Sequence, residues 1–333
     1  MATSSQSTEA AARRTTRWDW FYLVLGLVFL AALCSRWLDV TAFGLLPALQ
    51  AAWQPAIGLL LIVGLMLALC RRWLGLVILV PAFLVAVVLV AGSVTSRPPE
   101  VPPGLTDVTR FAIVSATMKD SRGDVSDIAK QARSINADAI VLTETDKMAV
   151  AELLGDPRMR AFKYQVAPVG DVVYGTALLS RHPLRNVQSS FGNEVLHSFQ
   201  QPSAQVVIPG AVVRLQAVHV VPPVYETAND WRRSLQLLQT RANDPRTRGS
   251  FVMAGDFNAG IGHAMFRQLT STFNEASAKP RFGMANTWPN WAPFTRLDHI
   301  LSSGMAVESS ATFAVTGSDH RGLTAVFLVP RSK

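Results

Sequence analysis

Three long apolar runs fill most of the first 95 residues and constrain this chain more than any other feature of its sequence. They extend from Trp18 to about Leu38, from about Ala51 to Cys70, and from Trp73 to Val94. Each has about 20 residues, the length that an α-helix needs to cross the ~30 Å hydrocarbon core of a bilayer. The sequence therefore predicts three transmembrane helices over residues 18–95, preceded by a disordered basic tail at residues 1–17.

Arginine placement predicts how these helices are oriented. Three arginines lie in the tail and Arg71–Arg72 fill the turn between the second and third runs, whereas Arg36 is the one basic residue between the first two runs. Because basic loops tend to stay in the cytoplasm, the tail and the Arg71–Arg72 turn are predicted to be cytoplasmic. Three crossings then place everything after Thr95 outside, which predicts a multi-pass cell-membrane protein with an extracytoplasmic domain. A cleaved signal peptide is a weaker interpretation of the first run, because two more runs follow it.

The sequence pattern changes after residue 95. Residues 96–107 form a Pro-rich linker that contains RPPEVPPG, which is typical of a stiff extended segment. Short apolar runs then alternate with helical spacing, as in the helix predicted after Asp124 and the hairpin predicted at Pro209-Gly210. Predicted strands outnumber predicted helices, so residues 108–330 are expected to form one mixed α/β domain.

Charge and cysteine content limit what this domain does. The whole chain has a net charge of +8, and the residues after Thr95 carry 25 basic and 20 acidic side chains. This diffuse excess suits an anionic partner, but no basic stripe with interleaved aromatic residues indicates nucleic acid binding. Both cysteines, Cys34 and Cys70, lie in the apolar runs, which excludes a cysteine metal site or a disulfide framework in the polar domain.

Polar side chains recur where predicted strands end. The apolar run FVMAG is followed by a carboxylate and an amide two residues apart, and four other segments end in acidic or imidazole side chains. The spacing is too irregular for a linear metal motif, but strand ends gather at one rim of a sheet. The candidate site residues are Glu144, His219, Asp256, Asn258, Asp298, Asp319 and His320.

The motifs around these residues occur in a specific order: LTET, GTALLSRHPL, AVH, GDFN, RLDHIL and GSDH. In this order they resemble the endonuclease/exonuclease/phosphatase superfamily, and the resemblance covers about residues 108–328. It implies a four-layer α/β sandwich, with two packed mixed sheets and outer helices, and metal-dependent cleavage of phosphoesters. The three-span N-terminus before such a domain further resembles the VanJ-type membrane proteins, which are linked to teicoplanin resistance.

The resemblance also implies how the metal is held. Glu144 would be the main metal carboxylate and Asp319 would lie beside the metal, which is Mg²⁺ or Mn²⁺. Such hard cations prefer oxygen ligands and keep several waters, so one or two carboxylates suffice. The family usually has an Asn at the end of its first strand, where this sequence has Thr117. A Thr hydroxyl could bind a metal-bound water, and a degenerate metal site is the alternative.

The remaining roles are carried over from the resemblance in the same way. Asp256 would orient or deprotonate the attacking water, and Asn258 and His219 would contact the phosphate. Asp298 would pair with His320, because a carboxylate bonded to one imidazole nitrogen fixes the tautomer and supports the imidazolium.

Some basic side chains are expected to have no part in this chemistry. His182 is predicted to have a structural role and His263 to lie at the surface. Arg232 and Arg233 are predicted to lie on the solvated face of a helix.

Three functions remain open from the sequence. The first is a membrane-anchored phosphoesterase acting on a lipid phosphate or diphosphate, with undecaprenyl diphosphate as the carrier to which the VanJ-type resemblance points. The second is a membrane-tethered nuclease or other phosphodiesterase, since the same catalytic set serves DNA cleavage. The third is a non-catalytic binding domain with a degenerate site, which Thr117 motivates.

Overall fold

The computed structural model describes residues 17–94, 107–168, 174–189, 199–244, 249–276 and 285–331. The predicted basic tail and the predicted Pro-rich linker lie outside these ranges, apart from their last residues, Arg17 and Asp107. The described residues form an N-terminal helical bundle followed by a domain of two sheets.

The helical bundle has four helices: α1 Arg17–Cys34, α2 Leu45–Ala51, α3 Trp53–Leu69 and α4 Trp73–Val94. By length and composition α1 and α4 can each cross a membrane, and α2 with α3 is a pair bent by 65° that forms a third candidate. The predicted second span is therefore broken near its start, at Ala52. Pro55 favours the break, because proline cannot donate to the carbonyl four residues earlier and its ring clashes with it.

Two six-stranded mixed sheets form the rest of the described chain. The strand order is β11-β12-β1-β2-β4-β3 in the first sheet and β5-β6-β7-β8-β10-β9 in the second. The strands are β1 Val108–Thr117, β2 Ala139–Thr145, β3 Tyr164–Val166, β4 Gly175–Ser180, β5 Leu184–Gln188, β6 Ser203–Ile208, β7 Ala211–His219, β8 Phe251–Asp256, β9 Asn274–Glu275, β10 Asp298–Ser303, β11 Ala306–Ala314 and β12 Arg321–Pro330. The two mixed sheets with helices confirm the predicted α/β class.

Apolar side chains from both sheets meet in one core, which contains Phe111 and Phe327 of the first sheet and Val213 and Ile300 of the second. Two further clusters attach helices to the outer faces. Helices α5 Val125–Ser134 and α6 Lys147–Gly155 cover the first sheet, while α7 Ala228–Asn243 and α8 Ala264–Thr270 cover the second.

Local sequence signals explain two of these elements. The Asp124 side chain accepts a hydrogen bond from the Ser126 amide at 2.8 Å and caps α5, as the sequence predicts. The hairpin between β6 and β7 is also confirmed, and Gly210 has a φ of +81° in its turn. Such a φ is open to glycine at no steric cost.

Strand pairing brings the predicted polar residues to one rim. β1 and β2 are parallel, with Thr117 opposite Thr143, and β7 and β8 are parallel, with His219 opposite Asp256. β10 runs antiparallel to β8, with Asp298 opposite Asp256. The carboxyl ends of four strands and the start of a fifth therefore meet where the two sheets pack together.

Candidate active site

The end of β8 is shaped by a glycine. Gly255 has a φ of +141°, and a Cβ atom there would lie 1.9 Å from the carbonyl oxygen of Val218 on β7. Only glycine lets the two strands come this close, and the approach puts Asp256 directly beside His219.

Asp256 is buried and held by the residue two positions on. The amide N–H of Asn258 donates to Asp256 Oδ1 at 2.8 Å, and Asn258 Nδ2 donates to Asp256 Oδ2 at 3.0 Å and to the Val220 carbonyl at 2.8 Å. Burial and the neighbouring Asp298 raise the pKa of Asp256 well above its usual value. Asn258 therefore orients Asp256, while its predicted contact with phosphate stays a prediction.

Glu144 projects from an irregular part of β2. The pairing of β2 with β4 shifts between Leu142 and Thr145, and Glu144 has a φ of +50°. A β-bulge re-aims a side chain, and a non-glycine residue with positive φ marks local strain that often belongs to a functional site. Burial raises the pKa of Glu144, and the positive charge of His320 opposes this effect.

Asp298 and His320 form a buried pair, as the resemblance implies. Asp298 Oδ2 lies 2.7 Å from His320 Nδ1, and Asp298 Oδ1 accepts a hydrogen bond from the Thr117 hydroxyl at 2.7 Å. Burial alone would lower the pKa of His320, but the charge and hydrogen bond of Asp298 raise it to about 10. The pair therefore places a positively charged imidazolium at the rim at neutral pH.

Three threonines support Asp298. Thr117 Oγ1 lies 2.9 Å from Thr143 Oγ1, and the Thr287 hydroxyl accepts from the backbone N–H of Asp298 at 3.2 Å. Thr117 therefore links the two sheets through Asp298, and its hydroxyl does not have to serve the metal. Thr143 stands in the LTET motif, but nothing in the sequence around Thr287 signals this role.

His219 is fully buried, and neither ring nitrogen makes a hydrogen bond of good geometry among the described residues, although the backbone of Tyr174 lies near enough to favour the charged ring. Its ring stacks on Phe199 with centroids 4.1 Å apart, and Nε2 lies 4.0 Å from Glu144 Oε1. Burial lowers the pKa of His219 to about 3, so the ring is neutral at neutral pH. An unpartnered buried imidazole at the rim is available to a ligand, because buried polar groups normally have partners.

The rim residues fit a divalent cation. One ligand atom each from Glu144, His219 and Asp256 lie within 4.8 Å of one another, and so do atoms of Asp256, Asp298 and His320. Burial raises the pKa of Glu144 and of Asp256, and neighbouring carboxylates raise both further; a cation would relieve this repulsion. Carboxylate oxygens are the ligands that Mg²⁺ and Mn²⁺ prefer.

Asp319 lies at the edge of this arrangement. Its carboxylate is 3.8 Å from Lys119 Nζ, both side chains are more than one-third exposed, and it belongs to neither close group. The predicted role of Asp319 at the metal therefore stays a prediction, and sequence analysis did not single out Lys119 as a neighbour.

The sequence matches the model described as the Endonuclease/Exonuclease/phosphatase family over residues 115–320, more than half of the chain. The chain belongs to this family. Members of the family are generally hydrolases of phosphoester bonds and typically depend on a divalent metal. None of the curated proteins is similar enough to this sequence to count as a match.

Solved structures in this superfamily have the same fold. D. rerio TDP2 complexed with single strand DNA product has a TM-score of 0.54 and 16% identity, over 66% of this chain and 99% of that one. A family protein from Bacteroides thetaiotaomicron has a TM-score of 0.53 and 16% identity, over 67% and 99% of the two chains. A third structure, the endonuclease/exonuclease/phosphatase from Beutenbergia cavernae DSM 12333, has a TM-score of 0.51 and 17% identity, over 66% of this chain and 72% of that one.

Proposed function

We propose that this protein is a membrane-anchored, metal-dependent phosphoesterase that hydrolyses a lipid phosphate or diphosphate on the extracytoplasmic face. The substrate class is a polyprenyl carrier such as undecaprenyl diphosphate. The proposal includes membership of the VanJ-type proteins and a part in antibiotic resistance, both of which rest on the sequence resemblance alone.

The chain's own residues divide the chemistry between them. Asp256 takes a proton from the attacking water, because Asn258 holds its buried carboxylate in place at the rim. The protonated His320 and the neutral His219 face the phosphoryl group, where negative charge develops during hydrolysis. A bound Mg²⁺ or Mn²⁺, held by Glu144, would polarise the phosphoryl oxygen.

The lipid substrate is supported by one observation, the contact between the catalytic rim and the helical bundle. The loop after β7, which directly follows His219, meets the connection between α1 and α2. Phe43 and Tyr225 stack across this contact with ring centroids 5.3 Å apart, and a Cβ on Gly44 would lie 2.3 Å from the Pro223 carbonyl oxygen. The rim therefore lies at the end of the apolar helices.

Exposed apolar side chains continue from the bundle onto this loop. Trp37 is 55% exposed, Phe43 68%, Val224 56% and Tyr225 72%. Exposed apolar and aromatic side chains of this kind are typical of contact with a membrane interface, where aromatic residues are enriched. A phosphate at headgroup depth would then be within reach of the rim.

A nuclease is the second candidate. The fold likeness to D. rerio TDP2 complexed with single strand DNA product favours it, because that protein binds a DNA product at this fold. The net charge of the chain, +8, tolerates a polyanion. The absence of a basic stripe in the sequence argues against efficient DNA binding.

The test uses the purified full-length protein in detergent with Mg²⁺. Substrates are a polyprenyl diphosphate, duplex DNA and a sphingomyelin-type phosphodiester at equal phosphate, with Asp256→Asn as the inactivated control. The proposal predicts fastest hydrolysis of the polyprenyl diphosphate. Efficient DNA cleavage without lipid hydrolysis would show that the protein is a nuclease. If the wild-type protein cleaves none of the three substrates, the non-catalytic binding domain becomes the favoured function.

A further inference from the structure

The loop after Asp256, residues 257–263, is bound by the helical bundle. His263 Nε2 lies 3.0 Å from the Pro47 carbonyl oxygen, and the Gly260 amide N–H donates to His263 Nδ1 at 2.9 Å. Burial lowers the pKa of His263 to about 4, so the ring is neutral and its Nε2–H donates to Pro47. The prediction that His263 lies at the surface is therefore wrong, because its partner is 216 positions away in the sequence.

Two arginines bind the same loop from both sides. Arg36 Nη2 donates to the Ile261 carbonyl at 3.2 Å. Arg267 donates to the carbonyls of Ile261 at 2.9 Å, Gly262 at 3.1 Å and Arg36 at 2.5 Å. The carbonyl groups of this loop are thus shared between the bundle and helix α8.

Packing leaves no gap at this contact. A Cβ atom on Gly262 would lie 2.1 Å from the carbonyl oxygen of Gln50, and Ile261 packs against the apolar core of the bundle. Close-packed interfaces transmit displacement, because their side chains have little free volume.

A short path leads from this contact to the catalytic carboxylate. The His263 ring meets Trp231 edge to face with centroids 5.3 Å apart. Trp231 Nε1 donates to the Asn258 carbonyl at 2.9 Å, and Asn258 in turn donates twice to the Asp256 carboxylate. Four contacts, through three intervening residues, therefore connect Pro47 in the bundle to Asp256 at the rim.

An ion pair fastens helix α7 to the bundle beside this path. Arg232, next to Trp231, donates to both carboxylate oxygens of Asp39, from Nε at 3.1 Å and from Nη2 at 2.7 Å. Arg232 keeps 39% of its side chain exposed, in line with the predicted solvated face, and its ion pair with the bundle is the feature that the sequence did not show. Arg233 remains 66% exposed and lies 3.8 Å from Asp230 of its own helix.

We propose that the helical bundle is a positioning part of the active site. Its connection between α1 and α3 fixes Asn258, and through it Asp256, by way of the positioning residues His263, Trp231 and Arg232. This inference rests on the phosphoesterase function proposed above. It requires that loss of the contact lowers kcat even for a small water-soluble substrate, while KM changes little.

The experiment compares Asp39→Arg, Arg232→Asp and the double exchange in the full-length protein in detergent. Turnover of bis(p-nitrophenyl) phosphate with Mg²⁺ gives kcat and KM, and hydrogen exchange of residues 257–263 reports the loop directly. Each single reversal should lower kcat roughly 10-fold, since a 1 Å displacement of a catalytic group costs up to about 10²-fold. Each should also raise exchange in the loop, and the double exchange should restore both. Arg233→Asp, the same reversal one residue along, should change neither.

The possible results distinguish failure of this inference from failure of the proposed phosphoesterase function. Unchanged exchange and unchanged kcat in both single variants would overturn the inference, and so would altered exchange with wild-type kcat. If the wild type hydrolyses no phosphoester, the proposed function fails. The hydrogen exchange of residues 257–263 then decides whether the bundle holds the loop, because the double variant should return it to the wild-type level. If the single variants fail to fold, His263→Asn serves instead. It keeps an acceptor for the Gly260 N–H but loses the bond to Pro47, so kcat should fall.

Discussion

The buried Asp298–His320 pair is expected to control the protonation of His320, and the magnitude of this effect can be worked out from the structure. The pKa of His320 is raised from 6.5 to about 10, against burial, by a carboxylate at 2.7 Å. That shift corresponds to about 5 kcal/mol in favour of the charged ring, at about 1.4 kcal/mol per pKa unit. At pH 7 the protonated ring therefore outnumbers the neutral ring by about 10³ to 1.

Asp298→Asn keeps the shape and the hydrogen bonds but removes the charge. The amide oxygen can still accept from His320, and the amide nitrogen can donate to the Thr117 hydroxyl, which faces Thr143 as well. Burial then acts with much less opposition, so the pKa of His320 should fall to or below 6.5. At pH 7 a pKa of 6.5 leaves about one ring in four protonated, so turnover should fall at least about 4-fold, and about tenfold more for each further unit by which the pKa falls.

The assay is the pH dependence of kcat/KM, together with an NMR titration of the histidine rings. The wild type should lose activity on the alkaline side only near pH 10, and the variant should lose it near or below pH 6.5. Asp138→Asn is the matched control. Asp138 Oδ1 lies 2.8 Å from His182 Nε2, so it forms a similar carboxylate–imidazole pair, and this pair lies outside the site. An alkaline limb in Asp298→Asn that coincides with the wild type would refute this reasoning.

Three other predictions concern the catalytic base, the metal and the membrane topology. Asp256→Asn should lower kcat by roughly 10²–10⁴-fold in a phosphate-release assay, and near-normal turnover would favour the binding-domain alternative. A chelator should abolish hydrolysis, and added Mg²⁺ or Mn²⁺ should restore it. The Glu144→Gln variant should need a much higher metal concentration for the same rate, and full activity in chelator would contradict the mechanism. A phosphatase reporter fused after Lys333 should be active and a cytoplasm-only fluorescent reporter dark, whereas the reverse pattern would contradict the topology.

The residues at strand ends could be predicted because apolar runs stop there. Glu144, His219 and Asp256 each follow or end such a run, and the pairing of the strands then brings their ligand atoms within 4.8 Å. The ordered motifs added the pairing of Asp298 with His320, which the structure bears out at 2.7 Å.

The support of Asp298 could not be predicted in the same way. The contact between Thr117 and Asp298 joins two sheets across 181 positions of sequence, and hydroxyl partners depend on which strands become neighbours. A Thr in a strand has no periodicity that separates a buried hydroxyl with a partner from an ordinary strand residue.

The contact between bundle and rim was missed for a related reason. Sequence patterns treat a membrane segment and a polar domain as separate bodies, so nothing in them joins Asp39 to Arg232. They are 193 positions apart and pair only because the rim packs on the bundle. The break before α3 has a local cause, Pro55, but the apolar run continues through it and conceals the bend.

The most direct test of a membrane-confined phosphoesterase compares two presentations of one substrate. Full-length protein in a nanodisc is given a polyprenyl diphosphate either in the same disc or in separate vesicles at equal total phosphate, with Mg²⁺, and phosphate release is measured. The contact of the rim with the apolar helices predicts rapid hydrolysis in the same disc and very little from separate vesicles, because tethering raises the effective concentration. Equal rates from both presentations would contradict the account.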